Sequence, residues 1–270
     1  MLSLGWFSTG SGEGSLGLLN EIYGAIESGT LDATVDFVFC NRDKGESIGS
    51  DEFLSTVSSY DIPLVTLSSE KFRKNNGGGT FSKHRIAFDN EVIDSLSVFH
   101  PDICVLAGYM LIVGPILCKK YSMLNLHPAL PGGPTGTWRD VIWALIKNNA
   151  SESGAYVHLV TEDLDQGPLL TYSSFPIKED VSQDLWDDVE GLSVDHLKAT
   201  LGEDLPLFQY IRKEGLLREK PLLLETIKAF TNGSLNANSL DLLKSMGISK
   251  CICLNDSINE SISPKQRDIT

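Results

Sequence analysis

Asn125 and His127 stand two residues apart in the run Leu124-Asn125-Leu126-His127-Pro128. Side chains alternate along a strand, so this spacing turns the carboxamide and the imidazole to one face. Pro128 cannot donate to a sheet ladder and ends the strand there. Both groups then lie at a strand's C-terminal edge, where open α/β sheets keep their sites. An imidazole gives or takes a proton near neutral pH, and a carboxamide donates hydrogen bonds. Asp165, in the turn Asp163-Leu164-Asp165-Gln166-Gly167-Pro168, brings a carboxylate from a separate segment. Such a polarised cluster points to an enzyme. On their own, Asn125 and Asp165 are also ordinary turn residues, and His127 could simply close a strand.

The elements that position these groups follow from the apolar pattern. Runs at residues 2–8, 34–40, 63–67, 102–107 and 123–126 read as strands. Helical patterns lie between them at 14–28, 49–59 and 82–98, the last with apolar Ile86, Val92, Ile93 and Leu96. This alternation predicts a mostly parallel sheet flanked by helices, with right-handed crossovers. After Pro131 the texture changes: a turn-rich loop over 131–136 precedes a helix at 138–147. Residues 154–160 and 168–175 flank the Asp165 turn and predict an antiparallel hairpin. One or two helices follow over 181–200. From Pro206 onward, Leu207, Ile211, Leu222, Ile227, Phe230, Leu240 and Leu243 recur at helical spacing. Residues 254–270 are polar and expected to fray. The expected organisation is therefore a domain over 1–203, with halves at 1–107 and 108–203, and a helical C-terminal extension over 204–270.

With 41 % hydrophobic and 21 % charged residues in 270, the chain has globular composition, enough for one large core or two modest ones. Net charge is −14, so phosphate backbones and anionic membranes find no general attraction. An anionic substrate then needs a local device such as a helix N-terminus. The five cysteines, Cys40, Cys104, Cys118, Cys251 and Cys253, include no CxxC pair, and no metal-ligand spacing is seen. Neither a leader nor a membrane-length apolar run is visible, so a cytoplasmic protein is expected.

Gly10-Ser11-Gly12-Glu13-Gly14-Ser15-Leu16-Gly17 follows the first strand and opens the first helix. Glycines allow close backbone approach, and the first-turn amides favour an anion. Gly12 to Gly17 also fits the dinucleotide fingerprint, but the second strand ends Cys40-Asn41-Arg42, without the acid that would hold a ribose. Arg42 keeps a 2′-phosphate reading open. A phosphate cradle for a mononucleotide-sized ligand is favoured over a loop that merely turns the chain.

Taken in order, the glycine loop, Val38-Phe39-Cys40-Asn41-Arg42, Arg85-Ile86-Ala87-Phe88-Asp89, Leu106-Ala107-Gly108-Tyr109-Met110, Asn125-Leu126-His127-Pro128, Val157-His158-Leu159-Val160 and Leu164-Asp165-Gln166-Gly167-Pro168 resemble the phosphoribosylglycinamide formyltransferase family over roughly residues 1–200. The resemblance implies a Rossmann-like formyltransferase fold and transfer of a formyl group from 10-formyltetrahydrofolate to the amine of 5′-phosphoribosylglycinamide, without a metal. It implies Asn125, His127 and Asp165 as the catalytic trio. Arg85, Met110, Leu111, Ile112, Val113, Asn125, Val160, Thr161 and Glu162 would hold the folate. Gly12, Glu13, Gly14, Ser15, Leu16, Gly17 and Asp195 would hold the phosphoribosyl substrate. Amine attack on the formyl carbon makes an oxyanion, for which the Asn125 amide is a donor; His127 would donate to the same oxygen or the leaving nitrogen.

Departures from the family pattern fall on the ligand side. Leu111 stands where a basic residue is usual, Tyr156 replaces a small hydroxyl residue, and Asp195-His196 is shifted and one carbon shorter. Other formyl enzymes remain as alternatives: a nucleotide-sugar N-formyltransferase, a methionyl-tRNA formyltransferase disfavoured by the charge, or a formyltetrahydrofolate deformylase. A nucleotide-binding or NAD(P)-linked protein using only the glycine loop is the alternative outside this class. His158, alternating within an apolar strand, reads as a core histidine. His84, His100 and His196 read as surface residues, and Asp184, Asp187, Asp188 and Glu190 as a solvated helix face. The stripe over 222–230 reads as packing, with a homodimer contact as the other use.

Overall fold

Strand β1 (Leu2–Ser8) is buried over its last five residues, and β2 (Ala33–Cys40) is covered almost as fully. Strands buried on both faces read as continuous apolar runs, as in residues 37–40 at the end of β2, whereas polar Thr34 and Asp36 alternate with buried Val35 and Phe37 at its start. In this computed structural model, which describes residues 1–179 and 182–262, β1 pairs in parallel with β2 on one side and with β4 (Ile103–Leu106) on the other. A register shift falls between Leu4 and Gly5. A side chain at Gly5 would collide with the Cys104 thiol and the Phe37 ring, so the position accepts only glycine.

The sheet has eight strands, in the order β3 (Leu64–Thr66), β2, β1, β4, β5 (Met123–His127), β6 (Glu152–Leu159), β7 (Leu169–Pro176), β8 (Ile252–Cys253). The β2–β3, β4–β5 and β7–β8 pairs are also parallel. Leu159 N donates to Pro168 O at 2.9 Å, while Gly154 lies against Ser173 O, so β6 and β7 form the expected antiparallel hairpin.

Helices α1 (Glu13–Glu27), α2 (Ile48–Ser59), α3 (Ser69–Asn75), α4 (Arg85–Ser95), α5 (Pro115–Lys120) and α6 (Trp138–Lys147) follow in chain order. Next come α7 (Gln183–Asp187), α8 (Val194–Thr200), α9 (Pro206–Thr231), α10 (Leu240–Met246) and α11 (Asn255–Ser261). Thr137 and Asp140 close a reciprocal capping box on α6, which fixes its start just after the glycine-rich loop.

Several boundaries differ from the sequence reading. The helix expected over 82–98 is shorter: a single 3-10 turn at Phe81–Lys83 precedes α4, whose buried face is Phe88 and Val92, with Leu96 beyond it. Ile86, expected on that face, is 59 % exposed. α9 runs unbroken through Pro221. The stripe over 222–230 is buried, with Leu222, Leu223, Ile227 and Phe230 all packed inside the chain. It is therefore core and not a free face for a second copy. Residue 181, expected to start a helix, and residues 263–270 of the polar end lie outside the described residues; α11 occupies part of that end.

Two compact units are each assembled from segments that are not consecutive in the chain. The first comprises Met1–Asn125, His158–Pro168 and Thr226–Ser249; the second comprises Leu126–Val157, Leu169–Glu225 and Lys250–Thr270. The first has an aromatic-rich core including Phe7, Phe37, Phe39, Phe88, Leu117 and Val160. The second packs Val141, Trp143, Ile146, Trp186, Phe208 and Ile211. Segments from distant parts of the sequence join one unit because they share its core, not because they are consecutive. Among the described residues no helix is long and apolar enough to cross a membrane.

Candidate active site

Asn125 and His127 lie on β5, as the spacing predicts. The Asn125 carboxamide nitrogen donates to His158 Nε2 at 3.1 Å and to Asp165 Oδ1 at 3.5 Å. Asp165 Oδ1 lies 3.7 Å from His158 Nε2, and its side chain is nearly buried. The hairpin turn delivers it there with Asp165 at φ 55°, a left-handed conformation that aspartate tolerates better than most residues. Gly167 is needed behind it, because a Cβ would strike Leu159 O.

His158 thus belongs to the cluster, although the sequence reading treated it as core. It is buried, and its Nδ1 lies 3.0 Å from Leu159 O. A carbonyl only accepts, so Nδ1 carries the proton and Nε2 is the acceptor for Asn125. Alternation could have found it: His158 and Asp165 flank one hairpin, and β6 lies next to β5.

His127 is buried in the second unit. Its Nε2 donates to Pro134 O at 3.0 Å, and its ring lies 5.1 Å from that of Tyr156 at 41°. Tyr156, a departure noted above, is therefore a wall beside this imidazole. Glu219 on α9 was not anticipated. It accepts from Arg212 Nη1 at 2.9 Å, and Arg212 also covers the Trp138 ring at 4.3 Å. Burial pushes the Glu219 carboxyl up, while Arg212, Lys220 and the His127 ring pull it back.

The residues expected around a folate gather at the loop over 108–114. Met110 is 63 % and Ile112 42 % exposed, whereas Val113 is buried and Leu111 is packed on the same aromatic-rich core. Leu111 stands in the usual position of a basic residue and makes packing in its place. Arg85 lies along Gly114, where its Cγ and Cδ leave little space for a Cβ. Its Nε is buried with no hydrogen-bond partner among the described residues. Asp89, one turn along α4, accepts from Gly114 N at 2.8 Å, and burial pushes its carboxyl up to about 6. Val160 packs in the same core as Val113 and donates to Met123 O at 2.8 Å. Thr161 Oγ1 donates to Asp163 O at 3.2 Å, and Glu162 pairs with Lys119 of α5 at 3.7 Å.

The glycine loop joins this region through Thr9. Thr9 Oγ1 donates to Asn41 Oδ1 at 2.7 Å and accepts from Met110 N at 2.9 Å. Gly108, at φ 66°, lies so close to the Ser15 hydroxyl that a Cβ would not fit. Gly12 precedes α1 in extended backbone and offers no side chain to cap it. Glu13, Gly14, Leu16 and Gly17 complete the first turns; Ser15 N and Leu16 N donate to Gly12 O at 3.1 and 3.4 Å, and the amides before them have no acceptor within the helix. Asp195 belongs to the second unit. It is exposed in the first turn of α8, on a groove of about 740 Å³ that Trp143, Lys147, Trp186 and Lys198 also line. Among the described residues no group of three His, Cys, Asp or Glu side chains is placed to hold a metal.

Residues 9–193 match the Formyl transferase family, and the chain belongs to it. Members transfer formyl groups, so this is an enzyme of that class. The phosphoribosylglycinamide formyltransferase of Escherichia coli (strain K12) is 32 % identical over 178 residues, 64 % of this chain and 74 % of that protein. The fold is shared with glycinamide ribonucleotide transformylase 1 from Symbiobacterium toebii, with a TM-score of 0.62 and 21 % identity over 87 % of this chain and 90 % of that one. The phosphoribosylglycinamide formyltransferase from Coxiella burnetii is similar, with a TM-score of 0.61 and 24 % identity over 87 % and 89 %.

Proposed function

We propose that this chain transfers the formyl group of 10-formyltetrahydrofolate to the amine of 5′-phosphoribosylglycinamide, in the cytoplasm, as a step in purine biosynthesis. The observation that carries the reading is the Asn125–His158–Asp165 cluster at the sheet edge, with the E. coli phosphoribosylglycinamide formyltransferase as relative. Both substrates are small molecules.

The loop over 108–114 suits a flat heterocycle with polar edges. Exposed Met110 and Ile112 offer apolar surface, and backbone amides and carbonyls offer hydrogen bonds. The partnerless Nε of Arg85 fits an acceptor on the bound molecule. Arg85, Met110, Leu111, Ile112, Val113, Asn125, Val160, Thr161 and Glu162 would hold the reduced folate, which supplies the formyl carbon. The first turn of α1, from Gly12 to Gly17, would hold the acceptor's phosphate, and Asp195 is the candidate for its ribose.

The Asn125 amide hydrogen that reaches Asp165 only at 3.5 Å would turn to the formyl oxygen as negative charge develops there, while the other stays on His158 Nε2. His158 and Asp165 hold that amide in donor orientation, since a flipped carboxamide would set its oxygen against the Asp165 carboxylate. His127 would donate from Nε2 only by exchanging its bond to Pro134 O for one to the substrate, and Asp165 would receive the proton released by the attacking amine through water.

The test is an assay of the purified chain with 10-formyltetrahydrofolate and 5′-phosphoribosylglycinamide, following tetrahydrofolate and the formylated product by mass spectrometry. Product formation dependent on both substrates is expected. Formate release without an acceptor, or formylation of a nucleotide-sugar amine alone, would overturn the choice of acceptor.

A further inference from the structure

Residues beyond 203 fall outside the matched family region, yet part of them packs into the first unit. The segment Thr226–Ser249 belongs to that unit, and α10 buries Leu240 and Leu243 there. From α10, Lys244 Nζ donates to Cys118 O at 3.2 Å and Tyr121 O at 3.3 Å. Ser122 Oγ donates to Asp241 Oδ1 of the same helix at 3.4 Å.

Those two carbonyls belong to the end of α5, a helix of six residues. The last carbonyls of a helix have no partner within it, and a cation there also meets the negative end of the dipole. At its other end α5 starts from Gly114, whose N donates to Asp89 at 2.8 Å. Val113, Leu117 and Tyr121 share one core, and Gly114 joins Val113 directly to α5, so the helix and the chain at 110–113 are tied by packing and by covalent connection. A helix this short has little stability of its own, so its placement depends on these end contacts.

We propose that Lys244 is a positioning residue for the loop over 110–113: by holding the carbonyl end of α5, it sets the loop's place against Arg85 and tunes affinity for the reduced folate. The C-terminal extension is then a brace for the cosubstrate side of the site. This inference rests on the folate reading above. The family match ends before this segment.

Lys244→Met removes the donor while keeping most of the stem, and Lys244→Arg restores donors to the carbonyls. Hydrogen exchange followed by mass spectrometry reads the brace without substrate. Amides over 108–121 are expected to exchange at least fivefold faster in Lys244→Met, with β2 and α6 unchanged. KM for 10-formyltetrahydrofolate is expected to rise about five- to tenfold, with kcat and the acceptor KM within twofold, and Lys244→Arg to return it to within twofold of the parent. Uniformly faster exchange, unchanged exchange over 108–121, or equal effects on both KM values would overturn the proposal. Should Lys244→Met fail to fold, Lys244→Gln is read by the same criteria; failure of both would show a global role and also overturn it. Absence of formyl transfer by the parent chain would instead remove the folate reading, leaving the exchange result to judge the brace by itself.

Discussion

Asn125 Nδ2 donates to His158 Nε2 at 3.1 Å, across a separation of 33 residues. The ring is held in one tautomer by Leu159 O on its other side. Removing the acceptor with His158→Phe frees the carboxamide to rotate while keeping a buried ring. Turnover is expected to fall about tenfold, the scale of a lost orienting contact of roughly 1.4 kcal/mol. KM values should move less than kcat. Steady-state kinetics checks this, and an unchanged kcat would remove His158 from the site.

Asn125→Ala deletes the donor itself. Loss of one preorganised donor to a developing oxyanion costs about 100- to 1,000-fold in kcat. Asn125 is only half-buried, so the melting temperature should barely change. A variant that melts normally and turns over like the parent would refute the assigned role.

Asp89 offers a pH test of stability. Burial pushes its carboxyl from 3.8 up to about 6, with Gly114 N and then Arg85 opposing. The folded chain therefore keeps this proton where the unfolded chain has released it. That contribution is full below pH 3.8 and is lost as the pH climbs through 6. Asp89→Asn keeps an acceptor for Gly114 and cannot ionise. Its advantage over the parent in urea denaturation should be near zero at pH 4 and grow to at most roughly 3 kcal/mol at pH 7.

Arg212 and Glu219 form a nearly buried pair on α9, 2.9 Å apart. Removing one member of such a pair typically costs about 3–5 kcal/mol, because the other charge stays buried alone. Glu219→Leu should therefore destabilise more than the double variant Arg212→Met/Glu219→Leu. Chemical denaturation of the three proteins measures the coupling. Equal losses in single and double variants would mean that the pair is solvated in solution.

Gly108→Ala tests the close approach of the glycine loop to the folate loop. The position has φ 66° and no room beside Ser15. Left-handed backbone alone costs a non-glycine residue about 1–2 kcal/mol, and the contact adds to it. Loss of stability beyond 1 kcal/mol with weakened acceptor binding is expected, read by denaturation and by the acceptor KM.

The parallel half of the sheet was legible because its strands are buried on both faces, and that writes unbroken apolar runs into the sequence. The glycine loop before α1 and the hairpin carrying Asp165 were legible for a similar reason, since turn residues are local. Elements such as α3, α5 and β8 were not. They span seven, six and two residues, too few to display a period. Ile86 looked apolar and inward, yet helix α4 begins only at Arg85 and turns Phe88 and Val92 to the core.

By itself the sequence determined the class of fold, the strand that bears Asn125 and His127, and the turn that bears Asp165, because each depends on neighbours within a few positions. Tertiary structure alone decided that His158 meets Asn125, that Arg212 covers the Trp138 ring while bonded to Glu219, and that Lys244 reaches Cys118 across 126 residues. Periodicity records which face of an element is buried. What lies against that face depends on the path of the whole chain, and no local pattern carries it.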